Sequence, residues 1–180
     1  MIIPDQNKKY YSEKIIYLPN TYQVNDSTLN ISEKKFSRKE FGLPENSFVY
    51  CCFNNSYKIL PEMFHTWIKI LDKVQNSVLW LLVDNDIVKN NLKKILVSKG
   101  IDQDRLLFTN RMMHSEHLAR LKLADLFLDT YPCNAHTTAS DSLRSCLPII
   151  TLRGNSFASR VTSSLLSSVG LAKLITDTKQ

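Results

Sequence analysis

The chain has 180 residues, 43% of them hydrophobic, and a formal net charge of +6 from 23 basic and 17 acidic side chains. That suits one large domain, or one domain with part of a neighbour, and excludes a disordered polyelectrolyte. No apolar run approaches the ~20 residues of a membrane span, and Met1–Lys9 lacks the order of a secretory signal, so a cytoplasmic protein is expected.

Residues 1–40 are polar and mixed; Ile15–Pro19 reads as a short strand, and Asn20–Phe36 shows no periodicity. Ser37–Glu45 is a turn-rich lead punctuated by Gly42 and Pro44. Regular patterning starts at Ser47. Phe48–Phe53 reads as a strand, followed by loop chemistry at Asn54-Asn55-Ser56. Phe64, Trp67, Ile68, Leu71 and Val74 then mark one face of a helix starting near Pro61, a favoured first position. Val78–Val83 is a second strand, Ile87–Ser98 an amphipathic helix ended by Gly100, Leu106–Phe108 a third strand and Ser115–Ala124 a helix. Leu126–Asp129 is a fourth strand, stopped by the loop that Pro132 forces. Ala139, Leu143, Cys146 and Leu147 continue as a helix face; Pro148–Leu152 is a fifth strand and Phe157–Ser168 a last helix, closed by Gly170.

Strand and helix alternate five times, and the strands are continuously apolar, as in a parallel sheet covered on both faces. The expected fold is α/β, a Rossmann-like parallel sheet flanked by helices from about Phe41 to Thr178. The four glycines form neither G-x-G-x-x-G nor a P-loop, which excludes the standard dinucleotide and nucleoside-triphosphate cradles. Cys51, Cys52, Cys133 and Cys146 show no metal-ligand spacing and read as reduced thiols, the first two on opposite faces of a strand. Basic residues are interleaved with acids, so the positive balance reads as a solvated face and nucleic acid is not expected as a partner.

Three clusters fall at the carboxyl ends of expected strands, where open α/β sheets bind ligands. The first is Phe53-Asn54-Asn55-Ser56-Tyr57-Lys58; the second is His114, His117 and Arg120, the latter two sharing a helix face. The third runs from Leu126 to Ser142 and places His136, Thr137 and Thr138 at a helix start. On spacing alone each has a plain alternative: Lys58 as a surface lysine, His117 and Arg120 as a solvent face, Thr138-x-x-Asp141 as a capping box. The alternative reading is an anion held by a helix N-terminus and side chains.

The runs C-N-A-H-T-T-A-S-D-S-L and L-P-I-I-T-L-R-G-N-S-F-A-S-R-V, with F-N-x-x-Y-K and E-H-L-A-R, resemble the C-terminal catalytic half of the protein O-linked N-acetylglucosamine transferases, above all the bacterial and SPINDLY-type members. The resemblance runs from about Tyr11 to Ile175. It implies the C-terminal donor-binding lobe of a GT-B glycosyltransferase, with UDP-N-acetylglucosamine as donor, a protein Ser or Thr hydroxyl as acceptor, and no cofactor or metal. Residues 1–40 then connect from an N-terminal catalytic lobe, and 41–180 form the donor lobe; that second lobe and tetratricopeptide repeats are implied partners. By the same resemblance Lys58 is catalytic and reaches the diphosphate, with Asn55 beside it. His117 lies near the phosphates, Arg120 near the uracil and His136 against the nucleotide. Thr137 and Thr138 hold phosphate oxygens, and Asp141 takes the ribose hydroxyls. His114 stands where animal members have lysine, and Cys146 where the family favours glycine. A nucleotide-sugar-binding module without catalysis, or an O-fucosyltransferase lobe, fits the same motifs. A lobe separated from its partner is expected to transfer no sugar.

Overall fold

The computed structural model describes residues 2–177. Its centre is a six-stranded sheet in the order β3-β2-β1-β4-β5-β6 with every neighbouring pair parallel. The strands are β1 (Phe48–Cys52), β2 (Ser77–Leu82), β3 (Leu106–Thr109), β4 (Leu126–Leu128), β5 (Ile149–Arg153) and β6 (Ile175–Asp177). Helices α1 (Pro61–Lys73), α2 (Asp86–Ser98), α3 (His114–Arg120), α4 (Thr137–Arg144) and α5 (Val161–Ser168) alternate with them. All six residues of β2 are buried, as are Cys51 and Cys52 on the two faces of β1, which is the burial that a doubly covered parallel sheet imposes. Burial pushes both of those thiols upward, so they stay protonated and inert.

The helices form where the sequence supplies local instructions. Pro61 opens α1, and Phe64, Trp67, Ile68 and Leu71 bury its inner face. The Asn85 side chain caps α2 by accepting from the amides of Ile87 and Val88, and Gly100, at φ 78°, turns the chain out of it.

Several boundaries differ from expectation. The helix expected over Ser115–Ala124 starts at His114 and tightens into a 3-10 turn at Leu121–Leu123. The last helix starts at Val161 instead of Phe157. Residues 156–159 form a serine-linked turn in which Ser156 N donates to Ser159 Oγ at 3.0 Å, and a Cβ on Gly154 would lie 2.4 Å from that oxygen. The sixth strand was not expected; its Asp177 takes two hydrogen bonds from Arg153 at 3.1 and 3.0 Å. The face drawn through Ala139, Leu143 and Cys146 breaks after Arg144. Leu147 N reaches Ser142 O at 2.9 Å and Cys146 N reaches Leu143 O at 3.1 Å, a Schellman stop with Cys146 in the left-handed position at φ 60°. Glycine is the usual residue there, so this cysteine carries strain that a glycine would not.

Ile15–Leu18 forms no ladder; it lies extended along an apolar groove with Ile2, Ile3 and Phe157. The segment before Phe41 is tied to the sheet domain at several points. Ser168 Oγ donates to Asn20 O at 2.7 Å, Arg144 Nη1 to Asp26 O at 3.1 Å, and Ser32 N to Ser115 O at 3.0 Å. The expected domain end at Thr178 lies outside the described residues.

The sheet order places the functional rim. From β1 the chain winds outward through β2 and β3, then returns to the other side of β1 as β4. Loops leaving β1 and β4 therefore diverge at their carboxyl ends and open a crevice between them.

Candidate functional site

Asp129, the residue after β4, organises the crevice. It is 4% exposed, and its Oδ1 accepts from the amides of Thr130 at 2.8 Å and Ala135 at 2.7 Å, while Oδ2 accepts from Thr151 Oγ1 at 2.7 Å. Burial nonetheless outweighs these donors and lifts the carboxyl to about 6. The loop it folds is closed by Asn134 Nδ2 to Thr130 O and by Thr162 Oγ1 to Ala135 O, both 2.8 Å. Asn54, buried after β1, donates to Thr130 Oγ1 at 2.8 Å and joins the two diverging loops. Lys58 sits in a 3-10 turn, Ser56–Lys58, and donates from Nζ to Asn134 O at 3.0 Å. The half-buried ammonium thus rests on the loop that leads into α4.

The start of α4 is open. His136 occupies the N-cap with no side-chain hydrogen bond to the helix, so the capping box expected from Thr138-x-x-Asp141 does not form. The physical reason is the helix start: with His136 at the N-cap, Thr138 already lies inside the first turn and Asp141 lies beyond N3, and both carboxylate oxygens of Asp141 instead lie 3.2 Å from His114 Nε2 on α3. Thr137 and Thr138, at the start of α4, line a cleft of about 250 Å³ together with Phe53, Arg111, His114, His117 and Arg120. A helix start of this kind presents unspent N–H groups and the positive end of the dipole.

Arg120 is not on a solvent face. It is 1% exposed, stacked over Phe53 at 5.1 Å and Trp80 at 6.0 Å. Nη1 donates to Thr109 Oγ1 at 3.0 Å and Asn110 O at 2.7 Å, and Nε to His117 Nδ1 at 3.1 Å, leaving Nη2 with no hydrogen-bond partner among the described residues. Because arginine only donates, His117 Nδ1 must accept, and the ring proton is on Nε2. Burial first, then the charges of Arg120, His114 and Arg111, lower His117 to about 4. At neutral pH it is an uncharged hydrogen-bond donor.

The cleft thus gathers His114, His117, Arg120, Thr137, Thr138 and Asp141. Lys58, Asn55 and His136 stand outside its lining. Asn55 accepts from Arg111 at 2.6 Å, and His136 Nδ1 lies 2.7 Å from the hydroxyl of Tyr22, with burial the main cause of its lowered pKa. Sequence reasoning named Asn54 and Asp129 within the first and third clusters without giving them a role, and passed over Arg111 and Tyr22. Only Asp129 left a signal, a carboxylate directly ending an apolar strand. Tyr22 comes from a segment without periodicity, and its ring meets Phe157 at 5.2 Å as well. Two Asp-x-Asp pairs do occur in the chain. Asp84 binds Arg111 and Asp86 binds Lys89, while Asp102 accepts from the Asp104 amide. Among the described residues no group of three His, Cys, Asp or Glu is placed to hold a metal ion.

Residues 30–180 match the family described as glycosyl transferase family 41. The chain belongs to glycosyl transferase family 41. It is 40% identical over 175 residues to a protein of Arabidopsis thaliana named as a probable UDP-N-acetylglucosamine–peptide N-acetylglucosaminyltransferase, covering 94% of this chain and 18% of that protein. A Caenorhabditis elegans protein with the same enzyme name is 41% identical over 144 residues, 80% of this chain and 12% of its own. The structure of a mutant O-GlcNAc transferase from Thermobaculum terrenum superposes with a TM-score of 0.82 at 27% identity, over 97% of this chain and 33% of that one.

This family-41 chain therefore spans less than a fifth of the curated relatives. Its architecture is one Rossmann-like lobe of the GT-B arrangement; the alternation of strands and helices led us to expect the sheet, and the family resemblance the GT-B lobe. Among the described residues no helix is long and apolar enough to cross a membrane.

Proposed function

We propose that this chain is the donor-binding lobe of a protein O-GlcNAc transferase: it holds UDP-N-acetylglucosamine for transfer of the sugar to a Ser or Thr hydroxyl. The observation that carries this reading is the uncapped start of α4 at the switch point, flanked by the Thr137 and Thr138 hydroxyls and the Nε2–H of His117. A diphosphate needs such donors, and a helix N-terminus supplies them without a glycine cradle.

As the sugar bond breaks, negative charge grows on the departing UDP. Lys58, half-buried on the loop before α4, stabilises it: two unit charges ~4 Å apart interact by about 4 kcal/mol at an effective dielectric near 20. In this reading His136 lines the nucleotide and Asn55 supports the loop beside Lys58. Arg120 stands near the base, and Asp141, steadied by His114, takes the ribose hydroxyls. Lysine and the helix dipole meet the phosphate charge, so no metal is needed. The acceptor hydroxyl arrives from the opposite lobe, which with tetratricopeptide repeats lies elsewhere in the full protein, in the cytoplasm.

Calorimetry with UDP, UDP-N-acetylglucosamine and GDP-fucose, each with and without EDTA, tests this. The two uridine ligands bind alike with and without chelator, and GDP-fucose does not compete. A preference for GDP-fucose points to the O-fucosyltransferase alternative, and binding that EDTA abolishes refutes the metal-free site.

A further inference from the structure

Resting on that donor-site reading, the geometry points to Arg111 as a further phosphate-binding residue, held across the mouth of the cleft by Asn55 and Asp84. Three strand-end loops meet at this side chain. Its Nη2 donates to Asn55 Oδ1, after β1, at 2.6 Å; its Nε donates to Asp84 Oδ2, after β2, at 3.1 Å; Arg111 itself follows β3. Among the described residues Nη1 makes no hydrogen bond, so one edge of the guanidinium is unspent.

The charges lining the cleft leave this role open. Arg120 is buried and spends three of its bonds on Thr109, Asn110 and His117. His114 is turned onto Asp141, and His117 is uncharged. Lys58, in the turn that follows Asn55, stands outside the lining and spends Nζ on Asn134 O. Among the described lining residues Arg111 is the one permanent cation that solvent reaches, with its side chain 66% exposed.

Stability does not account for the arrangement. The partner carboxylate of Asp84 is 51% exposed, and exposed pairs of this kind contribute about 0–1 kcal/mol. A guanidinium so loosely held, yet aimed by two partners, can turn a pair of N–H groups onto a phosphate, the charge-assisted contact arginine makes best. Thr137 and Thr138, lining the same cleft, mark where that phosphate sits.

The test is a chemical-shift titration of the chain, and of its Arg111→Met variant, with UDP and with uridine. We expect the variant to bind UDP about tenfold more weakly, to bind uridine within twofold of the parent, and to keep its urea midpoint. UDP affinity within twofold of the parent overturns the inference, and so does an equal loss for uridine, which would put the contact on the nucleoside. If the parent chain does not bind UDP at all, the donor-site reading itself falls. Parent binding with an unaffected variant removes only the role of Arg111.

Discussion

Replacing Asp129 by asparagine tests whether the crevice is built at a cost in stability. The buried carboxyl titrates at about 6 against an ordinary 3.8. A raised carboxyl keeps its proton longer in the folded chain than in the unfolded one. Its stabilising contribution is therefore complete below the unfolded value and is lost as pH rises through about 6. A shift of roughly 2 units corresponds to about 3 kcal/mol once both states are ionised, of which about 2 kcal/mol is lost between pH 4.5 and 7. Asparagine keeps the shape and an acceptor for the Thr130 and Ala135 amides, and its amide can donate to the Thr151 hydroxyl, but it cannot titrate. Urea unfolding of both proteins across that range gives the difference in stability at each pH, in which every other titrating group cancels. The difference should shift in favour of the variant by about 2 kcal/mol from pH 4.5 to 7. Parallel curves, or a shift of the opposite sign, would refute the reasoning, because the carboxyl would then be no harder to ionise in the folded chain than in the unfolded one.

Lys58→Ala should weaken UDP binding at least tenfold, whereas Lys94→Ala, an exposed lysine on α2, should leave it unchanged; equal losses in calorimetry remove Lys58 from the site. Cys146→Gly relieves a left-handed residue at a helix stop and should raise stability by about 1 kcal/mol in chemical denaturation, with no change in UDP affinity. The chain alone should transfer no radiolabelled sugar to a peptide mixture, since positioning the acceptor accounts for about 7–11 kcal/mol of such a barrier. Turnover by this chain that Lys58→Ala abolishes would show that one lobe suffices.

Sequence alone determined the parallel sheet as far as its fifth strand, because the strands are continuous apolar runs and the first two helices carry their own punctuation; the short, polar β6 had no such signal. Pro61 before Phe64, Trp67 and Ile68, or Gly100 after Ser98, acts through the conformation of a few neighbouring residues. The candidate clusters were legible because they fall in the segments that follow strands, where a parallel sheet exposes its loops, and because their motifs resemble those of the family. Tertiary structure decided what those residues face. Helical spacing places His117 and Arg120 on one side of α3, but whether that side meets water depends on Phe53 and Trp80, contributed by β1's loop and by β2. Thr138-x-x-Asp141 has the form of a cap, yet the helix starts one residue earlier with His136 at its N-cap, and the Asp141 carboxylate meets His114, 27 residues earlier. Asn20–Phe36 carries no periodicity, and contacts with α3, α4 and α5 give it a course along the domain. Spacing along a chain encodes which side chains share a face; the partner that covers the face is set by residues far away in sequence, and at this crevice that partner decides the chemistry.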